Sequence, residues 1–130
     1  MNSDYVAGFF DGEGSFSIFV RNDERYRTGF HVSLRINMTQ KNGIVLNHIK
    51  NFLRMGNITF NKSHELYEYN ITRIKDVKKF VDLTNDKLIV KKDELDTFKK
   101  CVDIMIDKRH LKKQGLNHAI KLKCMLRPRN

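Results

Sequence analysis

Between Phe30 and Gln40 the chain alternates without a break. Phe30, Val32, Leu34, Ile36 and Met38 are apolar, and His31, Ser33, Arg35, Asn37 and Thr39 between them are polar. Successive side chains of a strand point to opposite faces, so this period commits the segment to a sheet with one buried and one wet face. A second alternating run, Ser15 to Arg21, puts Phe16, Ile18 and Val20 on one side and Ser15, Ser17 and Arg21 on the other, with only Phe19 breaking the pattern. The polar stretch Asn22 to Thr28 joins the two runs as a hairpin tip. Asn57 to Asn61 and Leu66 to Thr72 read as a second hairpin, with Ile58, Phe60, Tyr67, Tyr69 and Ile71 turned toward the core.

The segments between and after the hairpins have helical spacing. Asp4 to Gly12 reads as a short helix, with Ser3 or Asp4 available to accept its free first-turn N–H groups and Gly12-Glu13-Gly14 to stop it. Gly43 to Arg54 brings Ile44, Val45, Leu46, Ile49, Phe52 and Leu53 onto one side. Lys75 to Leu83, Asp93 to Asp107 and Leu116 to Leu126 follow in the same way, built on Val77, Phe80 and Val81 and then on Leu95, Phe98, Val102, Ile104 and Met105. The expected class is α+β: an αββαββα order with extra C-terminal helices, the helices covering one face of a four-stranded antiparallel sheet and the other face left open.

Charge and length narrow the partners. The 130 residues fit one domain, residues 1–130, and the net charge of +10 calls for an acidic partner, most often nucleic acid. The basic residues are spread along the whole chain rather than along one amphipathic helix, which argues against a membrane surface. No run of the sequence suggests a signal peptide or a membrane span, and an intracellular protein is expected. Cys101 and Cys124, the only cysteines, read as reduced and structural, and the scattered histidines do not reach zinc-ligand spacing.

The chemistry is concentrated at the first helix. Gly8 and Gly12 are four apart on one helix face with Ala7 beside them, a spacing of small residues that lets two helix backbones come close. Val6, Phe9 and Phe10 are left to pack into the subunit. Glu13 ends the helix, where the dipole is negative and carbonyls are unpaired, so a carboxylate there suits a hard cation. Taken alone, Gly12-Glu13-Gly14 is an ordinary turn between helix and strand.

The whole segment Tyr5 to Phe16, ending Asp11-Gly12-Glu13-Gly14-Ser15-Phe16, resembles the LAGLIDADG motif of homing endonucleases and related maturases, and the αββαββα order extends the resemblance over nearly the whole chain. The resemblance implies a homing-endonuclease fold whose sheet forms a DNA-binding saddle, and a nuclease that makes metal-dependent double-strand breaks at a long target. It implies that Glu13, with the Gly12 carbonyl, holds Mg²⁺, with Mn²⁺ or Ca²⁺ as substitutes. It also implies that Gln40 serves a water pocket and that a lysine of the segment Leu88 to Lys92 stands near the scissile phosphate, either Lys91 or Lys92, with Lys91 favoured by spacing. One motif is found in this sequence, and family members with one motif per chain are homodimers. Ala7, Gly8 and Gly12 are then interface residues, with Asp11 a capping or interface residue, and the target is roughly palindromic. A host compartment follows from this reading: the cytoplasm or an organelle that carries a mobile intron.

Alternation also proposes the readers of the major groove: Ser17, Phe19, Arg21, His31, Ser33, Arg35 and Asn37 on the first hairpin, and Asn57, Thr59, Asn61, Glu68, Asn70 and Thr72 on the second, with Gln40 at the end of the first hairpin counted as a DNA contact beside its water-pocket role. Arg35 suits guanine, Asn37 or Asn70 suits adenine, and Arg25 and Arg27 at the hairpin tip reach outer bases or phosphates. Lys41, Lys112, Lys113, Arg127 and Arg129 are candidates for phosphate contacts, which position without reading sequence. The competing classes are an RNA maturase, with intron RNA as partner, a non-cleaving DNA-binding regulator on the same scaffold, and a basic interaction module without nucleic-acid chemistry.

Overall fold

The computed structural model describes residues 1–126, so Arg127 and Arg129 lie outside the described residues. The elements run α1 (Ser3–Glu13), β1 (Gly14–Asn22), β2 (Phe30–Gln40), α2 (Ile44–Leu53), β3 (Asn57–Asn61), β4 (Leu66–Ile71), α3 (Ile74–Thr84), α4 (Lys92–Ile106) and α5 (Lys113–Leu126), with a 3-10 turn at Arg109–Leu111 before α5. The order is the αββαββα expected, with two trailing helices. The four strands form one sheet, β1-β2-β4-β3, every neighbouring pair antiparallel.

The long alternating run decides the packing. Val32, Leu34, Ile36 and Met38 of β2 and Phe16 and Ile18 of β1 are buried against Val6 and Phe10 of α1, Leu46 and Ile49 of α2, Val77 and Phe80 of α3, and Leu95 and Phe98 of α4. Phe10 and Phe16 lie 4.8 Å apart between ring centroids, and Phe16 stacks on Phe98 at 4.6 Å, which ties the first helix and strand to α4. Ser15, Ser17, Phe19 and Arg21 point to the other side, away from the helix-covered core. No helix among the described residues is long and apolar enough to cross a membrane.

Several boundaries differ from the sequence expectation. The first helix is capped by Asn2, whose Oδ1 accepts the Tyr5 N–H at 2.8 Å, and not by Ser3 or Asp4. It also runs through Gly12 to Glu13. The stop is Gly14, where an added Cβ would lie 2.1 Å from the Phe10 ring, so only glycine lets the chain turn into β1 over that buried aromatic. At the far end of α2 a similar need falls on Gly56. Its φ of +85° is open to glycine, and a Cβ there would meet the ring of Tyr69, whose hydroxyl donates to the Met55 carbonyl at 2.6 Å.

The second hairpin is less covered than alternation implied. Phe60 and Tyr67 share the helix-bearing side with Tyr69 but are 50% and 37% exposed. They pack on each other instead, ring centroids 4.9 Å apart. Phe30, Ile44 and Phe52, also expected inside, are likewise exposed at element ends or on an outer helix face. The strand β4 stops at Ile71, leaving Thr72 just beyond it. Of the cysteines, both free, Cys101 is buried in the core and Cys124 is exposed on α5, so only the first is structural.

Candidate active site and nucleic-acid interface

The end of α1 gathers the chemistry. Glu13 is exposed, and among the described residues no donor is bonded to its carboxylate. The other oxygens at this helix end are largely taken. The Phe10 carbonyl accepts the Gly14 N–H, and the Asp11 carbonyl accepts Lys91 Nζ at 2.7 Å. The Gly12 carbonyl and the Glu13 carboxylate remain. These are hard oxygen donors of the kind that a small divalent cation takes. Among the described residues no group of three His, Cys, Asp or Glu could form a metal cage. That donor set fits Mg²⁺, which keeps several waters and takes one or two carboxylates with the phosphates of a substrate, better than it fits a site enclosed by protein.

Asp11, expected as a capping or interface residue, turns its carboxylate into its own subunit. Its carboxylate accepts the backbone N–H groups of Ile89 and Val90 at 3.0 Å each and of Lys91 at 2.8 Å. The segment that enters α4 is thereby clasped to α1, and Lys91 closes the clasp from the other direction through Nζ. Lys91 is half-buried, whereas Lys92 is exposed. Burial opposes the charge on Asp11, but the N–H donors of Val90, Lys91 and Ile89, with the Lys91 charge, outweigh it and hold the carboxyl below its ordinary value. This clasp joins residues 78 to 80 positions apart, and no local sequence signal announces it.

The clasp has a pH signature. The folded-state value of Asp11 is depressed, so its stabilisation is present above the ordinary carboxyl value of 3.8 and is lost as the pH falls through the lower folded value. Asp11→Asn keeps the shape and removes the charge. It should lower stability at neutral pH by about 1–3 kcal/mol, the worth of hydrogen bonds to a charged group. Thermal melts should show the two proteins converging as the pH drops below that carboxyl range. Parallel pH profiles would show that the carboxylate does not hold the loop.

Ala7 is also not available to a partner: it is 1% exposed, packed inside the subunit's own core with Val6 and Phe10. The exposed face of α1 is instead Tyr5, Gly8 and Gly12, and a Cβ built on either glycine meets nothing within 4 Å. The fold of the single chain gives no reason for glycine at these helical positions.

On the open sheet face the strand register sets side chains in rows. Ser15, Asn37, Asn70 and Asn57 stand across all four strands, next to the row that begins at Gly14. Asn37 Nδ2 donates to Asn70 Oδ1 at 2.7 Å, and Asn37 is only 8% exposed, so Asn37 is spent on its neighbour and is a poorer adenine reader than expected. Thr39, Glu68 and Thr59 form the next row, while Ser17 faces Arg35, Phe19 faces Ser33 and Arg21 faces His31. The His31 ring lies tilted against Tyr26, ring centroids 5.2 Å apart. Asn61 lies at the outer end of β3 opposite Leu66, and Thr72 falls outside the strand.

Gln40 does not belong to the open face. By alternation it shares the helix-bearing side of β2 with Met38, and its Oε1 accepts the Lys41 N–H at 2.9 Å at the rim beside Tyr5, Val45 and His48. Arg25 is held by Asp23 through Nε at 2.9 Å and Nη2 at 2.6 Å, which offsets part of its charge. Arg25 and Arg27 line one groove with Lys112 and Lys113, where the hairpin tip meets the start of α5, and Lys41 is exposed at the end of β2. Sequence reasoning missed Lys123, which α5 brings to the β1 edge beside Ser17 and Phe19.

A family model described as LAGLIDADG endonuclease matches residues 6–102. The chain is 28% identical over 125 residues to a probable intron-encoded endonuclease 3 of Neurospora crassa, an alignment covering 92% of this chain and 24% of that protein. The chain therefore spans about a quarter of that relative's length. Among solved structures, the homing endonuclease I-TnaI superposes with a TM-score of 0.92 at 26% identity, covering all of this chain and 90% of that one. I-SmaMI, solved bound to an uncleaved DNA target in the presence of calcium ions, superposes with a TM-score of 0.84 at 33% identity, covering 95% of this chain and 44% of that one. The αββαββα arrangement described above is thus the homing-endonuclease fold.

Proposed function

The chain belongs to the LAGLIDADG endonuclease family, and from that premise we propose that it is a metal-dependent DNA endonuclease, working as a homodimer on a long, roughly palindromic target of the intron or intein homing type. One observation carries the reading: a single short helix joins an open glycine face, Gly8 and Gly12, to the carboxylate of Glu13, which has no partner among the described residues. Glycine inside a helix costs about 0.5–1 kcal/mol relative to alanine, and nothing inside the subunit returns it. A second copy pressed against that face would do so, and the two-fold axis would bring both Glu13 carboxylates together.

In this reading Glu13 and the Gly12 carbonyl hold a hard divalent cation, Mg²⁺ or, in its place, Mn²⁺ or Ca²⁺. Such an ion, when bound, activates water and offsets charge at the scissile phosphate. Lys91, held at the Asp11 carbonyl two residues from Glu13, contributes a positive charge to the phosphate oxygens as they become more negative. Gln40 offers an amide at the rim to orient water. The open face lies in the major groove of double-stranded DNA, and Lys41, Lys112 and Lys113 contact phosphates on either side.

The test is direct. Purified protein is incubated with a library of long duplex sites, with Mg²⁺ or with chelator, and new double-strand ends are mapped. We expect ends at one family of near-symmetric sites in Mg²⁺ and none in chelator. Tight, selective binding with no ends in any divalent metal would overturn the nuclease reading and leave a regulator on this scaffold.

A further inference from the structure

Arg35 and Phe19 form the most unusual contact on the open face. The Arg35 guanidinium carbon lies over the Phe19 ring, 5.0 Å from its centroid. Phe19 is 40% exposed, the one large apolar side chain among the polar residues that β1 turns to that side. The Arg35 Nε is buried and has no hydrogen-bond partner among the described residues, and no described carboxylate pairs with this guanidinium. The only acid that the four strands turn to the open face is Glu68, opposite Thr39. It is four residues along β2 from Arg35, roughly 13 Å at ~3.3 Å per residue.

A positive fork held by an aromatic ring, with no anion paired to it among the described residues, is set to take an acceptor from outside. Resting on the DNA-reading role argued above, we propose that Phe19 is a specificity-determining residue: its ring fixes the Arg35 guanidinium as a pre-set fork that reads one guanine in each half of the target. Guanine offers two adjacent acceptors on its major-groove edge, which the planar guanidinium matches with two parallel N–H donors. A free arginine would give up much rotamer freedom on making that contact, and stacking removes part of the loss beforehand. Arg35 faces Ser17, three residues along β1 from Gly14, so the guanine is read roughly 10 Å from the Glu13 end of the sheet. A phosphate is the less suitable acceptor here, because the residue stands on the face of the sheet and not at its basic rim.

The experiment selects binding sites from a randomised duplex library in Ca²⁺, using the unaltered protein, Phe19→Leu, Phe19→Tyr and Arg35→Ala. The unaltered protein should prefer guanine at one position of each half-site, and Arg35→Ala should lower that preference by on the order of tenfold or more. Phe19→Leu should lower it about three- to tenfold at the same position and leave the other positions as they were, and Phe19→Tyr, which keeps the ring, should retain it. An intact guanine preference in Phe19→Leu, or an equal loss of affinity for every sequence, overturns the inference while the endonuclease reading stands. Absence of any sequence-selective binding by the unaltered protein overturns both.

Discussion

The Glu13→Gln protein will bind its target DNA and leave both strands whole. Among the described residues, the carboxylate is the only negative side chain left without partners at the open end of α1, since Asp11 is consumed by the Ile89–Lys91 backbone. An amide there keeps an oxygen but loses the charge that a hard cation needs. A metal's contribution to phosphodiester cleavage is worth several kcal/mol, so losing about 4 kcal/mol slows cutting roughly a thousandfold, and the loss occurs in both copies at once. Two further readouts separate this outcome from general damage. Glu13 is exposed and bonded to no described donor, so the melting temperature should not move. Without metal, the native carboxylates repel phosphate, so the variant should bind DNA as tightly as the native chain or more so. Retention of full cutting by Glu13→Gln would remove this residue from the reaction.

How far the sequence alone leads to this site depends on the range of the forces involved. The strands of the first hairpin and the direction of every side chain on them are set by alternation, a local property, and Phe16, Val32 and Met38 went where the period put them. The motif helix was equally plain. Ala7 lies on the seam between two helix faces: a methyl group fits either a partner or a core, and only the position of α1 over the sheet sends it inward. For Asn37 a strand pattern gives the face and not the neighbours; which residue of β4 stands beside it is a question of register. Gln40 follows the alternation of β2 onto the helix side, which its polarity alone did not indicate.

The Asp11 clasp shows the limit most clearly. A carboxylate near a helix end has several uses, among them cap, interface contact and metal ligand, and composition cannot distinguish them. What decides is that three consecutive N–H groups at the entrance to α4 converge on it. The same convergence places Lys91, rather than its exposed neighbour Lys92, at the end of the motif helix. Two stretches that look unrelated in sequence are therefore one unit: a helix end that presents an acid and a loop that presents a base.

The second large effect is expected at Gly8, where stability and function should move in opposite directions. Replacing it with alanine inside a helix gains about 0.5–1 kcal/mol of intrinsic propensity, and the added methyl meets nothing within the subunit. Gly8→Leu should fold at least as well as the native chain, judged by an unchanged circular dichroism spectrum. A second copy arriving at that face would instead meet two bulky side chains, one from each protein. Overpacking of this sort costs about 1–3 kcal/mol per site, so roughly 2–6 kcal/mol over the symmetric pair, or about a thirtyfold to 10⁴-fold weaker dimer. Sedimentation equilibrium should find the Gly8→Leu protein monomeric at concentrations where the native chain is dimeric, and the concentration dependence of its melting temperature should vanish. Double-strand cutting should fall with dimerisation, because each copy brings only one Glu13 to the axis. A Gly8→Leu protein that still dimerises and cuts would mean that α1 meets no partner through this face, and the reason for glycine in the middle of the helix would have to be sought elsewhere.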